Sequence, residues 1–373
     1  SARLGAWVVR RARPLALVSA VLFVVFGALY AAVPPAHSVR EHLPANNAAN
    51  AALGRYDANF GGAFPIQIVL PARDESGLTA ERLQEIGAVQ NAAAGVAGVT
   101  TPLSVWSLYE WVGGPGDSAA AKRLETVLAQ LPPETLSRFI GARTGAALVT
   151  VNVQEAESHV LETRFRAIED AVRAVGVDDA IVTGVTVVTN REASRMISDL
   201  NWSLATAIFG DILILVVAFR NIPIGIVSTL ANTMPLFATG ALIWLTGHGM
   251  QFTSVIALTV AFGIAVDDTI HYLNRFLILQ RPADPLDRRL VATSREIGPV
   301  LIGTTVIILG GLSTTFTSGL PSVTLFGMIA SITLVIAMAG DLVVMPALIA
   351  GYARRWFDRK AVAVDEPETS ERV

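Results

Sequence analysis

Cysteine is absent from the 373 residues, which excludes disulfides, zinc-thiolate sites and cysteine nucleophiles. Charge is scarce: 16% of residues are Asp, Glu, Lys or Arg, against about 25% in an ordinary soluble domain. A water-soluble enzyme needs more, and the mean hydropathy of +0.53 points to a membrane instead. Basic excess is missing too. A net charge of -3 and a pI near 6.0 leave no electrostatic footprint for nucleic acid as a partner.

What charge there is lies unevenly. Residues 34–200 hold 13 basic and 19 acidic side chains, together 32 of the 59 charged residues in the chain. Around this polar stretch stand six apolar runs, each near the roughly 20 helical residues that cross about 30 Å of hydrocarbon. They are 14–33, 201–219, 222–245, 252–277, 299–317 and 323–350. The expected organisation is one span at 14–33, an extramembrane domain at 34–200, five spans within 201–350, and a tail at 351–373. Arg3, Arg10, Arg11, Arg13, Arg220, Arg275, Arg281, Arg288, Arg289, Arg295, Arg354, Arg355, Arg359 and Lys360 all fall on one side of this arrangement. The short loops 246–251 and 318–322 on the other side have no Lys or Arg. By the positive-inside rule both termini are cytoplasmic and 34–200 is extracytoplasmic. Trp202, Trp244 and Trp356 suit interfacial belts.

Within the polar stretch, FPIQIVLP at 64–71, ALVTVNV at 147–153 and IVTGV at 181–185 read as strands. Helical spacing at 78–97, with Leu83, Ile86, Val89 and Gln90, at 159–175 and at 187–198 places a helix after each. Such units predict an α+β sandwich of ferredoxin-like type, interrupted by a helical insertion at 102–143 that carries GGPG. The domain has no Gly-rich phosphate loop, nucleophile elbow or metal-spaced His pair, and its histidines, His37, His42 and His159, read as surface residues. It reads as a binding or gating module.

The chemistry is expected inside the membrane. A charge at the bilayer centre costs about 2.5–3.5 kcal/mol on insertion scales, so carboxylates there are candidates for function. The later spans contain Asp211, Asp267, Asp268, Asp341 and His271. In GIAVDDTIHYLNRF at 263–276, His271 follows Asp267 and Asp268 by four and three residues, and Arg275 follows one turn later, which makes a polar stripe on one helix. Two adjacent carboxylates in a dry site do not readily both ionise, and a neighbouring imidazole can relay a proton. Gly263 would let another helix approach. Thr304 and Thr305 sit at a comparable depth and could hydrate or accept such a relay, although threonines commonly bond back to their own helix. Asn232 and Pro235 mark an irregular turn with a polar side chain. Asp211 has no partner visible in the sequence, and structure and function remain equally open readings for it and for Asp341.

These residues resemble one repeat of the resistance-nodulation-division superfamily, nearest its MMPL-like and hydrophobe/amphiphile efflux branches, which include hopanoid-type lipid exporters. The resemblance rests on the 263–276 motif, REIGPVLIGTTV at 295–306, FGMIASITLVIAMAGDLVVMPAL at 326–348 and LANTMP at 230–235. It implies six spans with an inserted porter-like domain, half of a twelve-helix secondary transporter and not an enzyme. It implies proton-driven export of hydrophobic or lipid-like molecules from a cell or inner membrane, with the proton gradient in place of any cofactor or metal. The relay role carries over to Asp267, Asp268 and His271, and more weakly to Thr304, Thr305 and Asp341. Expected partners are the lipid-like substrate, membrane lipids, a second repeat in cis or a second subunit, and a periplasmic protein. The acidic motif occurs once, so the chain is expected to be a C-terminal repeat or a half-size subunit. Two rival readings share the fold: a non-transporting receptor or scaffold of sterol-sensing type, and an accessory of protein export.

Overall fold

The computed structural model describes residues 2–38, 43–44, 47–73, 78–100, 102–117, 119–141, 144–279 and 284–354. His42, Arg281, Arg355, Trp356, Arg359, Lys360 and the acidic tail lie outside them. The chain divides into two compact units, one of residues 36–196 and one of 1–35 with 197–373. It is a helical membrane protein; the described residues contain six helices long and apolar enough to span a bilayer and a small three-stranded sheet.

The sheet belongs to the 36–196 unit. Strands β1 (Phe64–Leu70), β2 (Ala147–Val153) and β3 (Ile181–Thr183) stand in the order β2-β1-β3. Both neighbours of β1 run antiparallel to it, with Ile68 opposite Val149 and Val182. Period-two alternation buries Ile66, Ile68 and Leu70 of β1 and Val149, Val151 and Val153 of β2 on one face. Against that face pack α4 (Ala80–Ala94) and α8 (Ser158–Ala174), through Leu83, Ile86 and Val89 and through Leu161, Phe165 and Ile168. Each such side chain contributes about 1.5–3 kcal/mol by leaving water. Gln90, on the buried face of α4, is satisfied by Ser104 Oγ at 2.6 Å and Ser107 Oγ at 3.0 Å. Those serines form the capping box that starts α5 (Val105–Trp111). The insertion continues through α6 (Ala120–Gln130) and α7 (Pro133–Leu136). At the outer edge of β2, Val99 bridges to Val153 and Leu103 to Thr150. Ahead of β1 lies α3 (Ala48–Phe60), capped by Asn47.

The second unit is helical. It opens with α1 (Ala2–Arg10), a short amphipathic helix that the hydropathy reading had not distinguished. Its Val8 is fully buried, and Gly5 faces Ser294. The spans are α2 (Ala12–Ala31), α9 (Val185–Phe219), α10 (Ile222–Leu245), α11 (Phe252–Ile278), α12 (Leu286–Leu312) and α13 (Pro321–Ala339). A π-helical turn, Gly340–Val344, continues α13 into α14 (Met345–Gly351). α9 begins at Val185, sixteen residues before the expected span, because no breaker separates 187–198 from the apolar run. Small residues set the close contacts: Gly27 meets the Phe237 ring and Gly240 meets the Tyr30 ring.

Pro235 corrects an expectation. The chain makes no irregular turn there, since α10 runs unbroken from Ile222 to Leu245. Proline supplies no N–H to the carbonyl four residues earlier. That carbonyl, on Ala231, is the atom a side chain at Gly340 would meet at 3.2 Å. A Cβ at this position would be tight against that carbonyl, and glycine avoids the contact.

Candidate functional site

The acidic motif of α11 divides between two faces of one helix. Asp267 and His271 stand one turn apart on the outer face, with His271 Nε2 3.7 Å from Asp267 Oδ1 and side chains 71% and 66% exposed. One turn on, Arg275 Nε donates to Glu296 of α12 at 2.6 Å. Asp268 is half-buried. The predicted stripe is therefore present on α11, with Asp267 and His271 exposed, Asp268 half-buried and Arg275 paired to α12. Gly263 lies on the exposed side too, with no atom of the described residues within 4 Å of where its Cβ would be. Among the described residues no helix makes the expected close approach at Gly263.

The opposite face of α11 carries a polar centre that the sequence reading missed. Thr269, between Asp268 and Ile270, is fully buried. Its Oγ1 lies 2.5 Å from Asn232 Oδ1 on α10 and 2.6 Å from Asp341 Oδ1 on the π turn. Asn232 and Asp341 are also buried. One turn further along α11, Tyr272 Oη meets Ser294 Oγ of α12 at 3.1 Å, again with both side chains buried. Asp211 of α9, without a partner in the sequence reading, lies beside Asn232. At that junction Asp211 Oδ2 and Asn232 Nδ2 are buried with no hydrogen-bond partner among the described residues.

Chain position explains the convergence. Asp211 is eight residues from the end of α9, Asn232 ten from the start of α10, Thr269 nine from the end of α11, and Asp341 ten from the end of α14. At 1.5 Å per residue all four lie about 12–15 Å from helix ends on one side of the bundle. The π turn sits at this level, and π-bulges recur where helices carry function.

Thr304 and Thr305 of α12 do not join this centre through their hydroxyls. Thr304 Oγ1 donates to the Leu301 carbonyl at 3.0 Å and Thr305 Oγ1 to the same carbonyl at 2.8 Å. This is the backbone-bonding alternative already weighed for them. Among the described residues no group of three or more His, Asp or Glu could hold a metal ion.

The 36–196 unit contains a cavity of about 250 Å³. Phe64, Pro65, Leu161 and Val185 form much of its wall, and Glu155 and Asn190 are among its polar lining residues.

No family model matches the chain. It is similar, at 21% identity over 262 residues, to a protein of Methanocaldococcus jannaschii named "Putative membrane protein MJ1562". The match covers 68% of this chain and 66% of that relative, so the chain spans slightly less than two thirds of its length.

Proposed function

We propose that the protein is one repeat of a proton-driven exporter of hydrophobic or lipid-like molecules, of the resistance-nodulation-division type. The observation that carries this reading is the exposed pair Asp267 and His271 on a membrane helix. Titratable groups turned toward lipid cost several kcal/mol. A second repeat or subunit that covers this face would remove the penalty and enclose the groups in a site where they can take up and release protons. A receptor or scaffold gains nothing from such groups. Further support comes from the 36–196 unit. Its β1-α4-β2-α8-β3 order with antiparallel neighbours fits a ferredoxin-like porter domain in which the bridges of Val99 and Leu103 to β2 stand for a fourth strand. Its cavity wall is largely apolar, which suits amphiphilic substrates.

In this reading the termini are cytoplasmic, 36–196 faces the periplasm or exterior, and substrates enter from the outer leaflet or that space. Asp267→Asn and Asp268→Asn should each abolish export with expression and helical content unchanged, because an amide hydrogen-bonds but does not cycle a proton. The assay compares deletion and complemented strains for the partition of membrane lipids between inner and outer fractions and for sensitivity to hydrophobic toxins. Wild-type export by both variants removes the relay. An effect confined to a small hydrophilic solute removes the substrate class.

A further inference from the structure

Between α1 and α12, where Gly5 faces Ser294, lies an open pocket of about 720 Å³. Arg10 of α1 and Arg288 and Arg295 of α12 line it, with Asp287 and Glu296 as its acidic members. Both carboxylates are already engaged by arginines outside the lining, Asp287 by Arg354 at 3.4 Å and Glu296 by Arg275 at 2.6 Å. The other oxygen of Asp287, Oδ1, is buried, so it does not face the open space. Arg10, Arg288 and Arg295 are exposed, and none of them forms an ion pair among the described residues. Arg10 Nε donates to the Ala6 carbonyl of its own helix at 3.3 Å, which leaves its two terminal nitrogens for another acceptor. Three cations without a spare anion call for an acidic ligand.

The helix beyond the pocket indicates what carries that charge. Arg288, Arg295 and Ile302 recur every seven residues of α12, and Pro299 and Val306 each follow one turn after Arg295 and Ile302, so all five share one face. Past Arg295 that face is apolar and exposed: Pro299 is exposed, Ile302 is 41% exposed and Val306 61%. From Arg295 to Val306 the rise is about 16 Å, close to half of a hydrocarbon core of about 30 Å. One face therefore presents a cationic head site followed by one leaflet's depth of apolar wall. α1 fixes the level independently. Its Leu4 and Trp7 are exposed, and the Arg11 guanidinium lies 5.5 Å over the Trp7 ring. A basic helix that exposes Trp and Leu suits the headgroup layer.

We propose that the groove between α1 and α12 binds an anionic phospholipid, with Arg10, Arg288 and Arg295 around the headgroup phosphate and an acyl chain along Pro299, Ile302 and Val306. A free phosphate would use the arginines alone; the apolar wall is what selects a lipid. Arg10 stands on one helix and the other two arginines on its neighbour, so the bound phosphate also clasps α1 to α12. The proposal requires α12 to span a bilayer and is independent of export and of proton coupling.

The test is native mass spectrometry of the full chain, delipidated in detergent and titrated with phosphatidylglycerol or with phosphatidylcholine of the same acyl chains. The wild type should retain one phosphatidylglycerol more tightly than phosphatidylcholine. An arginine facing an anionic lipid contributes about fivefold in affinity. Arg10→Gln should therefore weaken phosphatidylglycerol about fivefold, and Arg288→Gln/Arg295→Gln about 25-fold, with phosphatidylcholine unchanged. Should the double variant fail to fold, Arg10→Gln on the other helix decides. Arg3→Gln/Arg220→Gln removes the same charge outside the pocket lining and should leave the preference intact; an equal loss there means a diffuse surface potential and overturns the site. Inorganic phosphate at the lipid's concentration should not displace the lipid, and displacement means a free-anion site, which also overturns the proposal. So does an absent preference for phosphatidylglycerol in the wild type, or an unchanged one in Arg10→Gln. None of these outcomes bears on the exporter reading, which the export assay of Asp267→Asn and Asp268→Asn decides separately.

Discussion

Thr269→Val replaces a hydroxyl with a methyl of nearly the same size at a fully buried position. It opens no cavity, so its cost is that of the two hydrogen bonds. Asn232 Oδ1 and Asp341 Oδ1 both lose their contact with the Thr269 hydroxyl at buried positions. A buried polar atom left unpaired costs about 1–3 kcal/mol, more when charged. Hydrogen bonds between membrane helices average only about 0.6 kcal/mol, because the unfolded chain in lipid also finds partners. Two average bonds would give about 1.2 kcal/mol on that scale. The larger figure governs here because one partner is a carboxyl group only 2% exposed. The expected loss is about 2–4 kcal/mol. Thr269→Ser retains the hydroxyl and forfeits one methyl, about 0.8 kcal/mol. Reversible unfolding in mixed micelles, followed by tryptophan fluorescence, measures both. A valine variant within about 1 kcal/mol of wild type, below the range for one orphaned acceptor, refutes the reasoning. So does a serine variant as unstable as the valine.

Single cysteines placed at Gly113 and Gly319 should react with an impermeant thiol reagent applied to sealed cells, and one at Asp287 should not, as the arginine distribution requires; labelling at Asp287 reverses the orientation. Gly87→Ala puts a methyl 2.5–2.9 Å from atoms of the buried Trp106 ring. The forced shift should cost the 36–196 unit about 1–3 kcal/mol, read as faster proteolysis of that unit in the intact chain; an unchanged cleavage rate means the ring moves freely.

The six spans were legible because length and apolarity are local, and all six helices overlap the runs read from the sequence. β1 and β2 were legible for the same reason: their alternation is written along seven residues. α1 escaped notice because nine amphipathic residues next to a long apolar run look like its flank. Pro235 misled because the local rule predicts a break, whereas the packed bundle lets α10 continue and brings Gly340 to the freed carbonyl. Thr269 was invisible for another reason. Its partners lie 37 and 72 residues away, and a threonine within a helix ordinarily bonds its own backbone, as Thr304 and Thr305 do. The exposed stripe was readable as chemistry, but its direction depends on which face α11 buries, and that is decided by α10 and α13.

The π turn Gly340–Val344 puts the last span in two phases. An α-helix advances about 100° and 1.5 Å per residue, so one extra residue in a turn offsets every side chain on one side of it from the other. Before the turn, α13 is only partly buried; beyond it, Met345, Pro346, Ala347, Leu348, Ile349 and Ala350 are all buried. Deleting one residue there would not simply shorten the helix. It would rotate one half of the span against the other, and a bulge that slid along the helix would turn Asp341 in the same way, like the index wheel of a combination lock advancing one step.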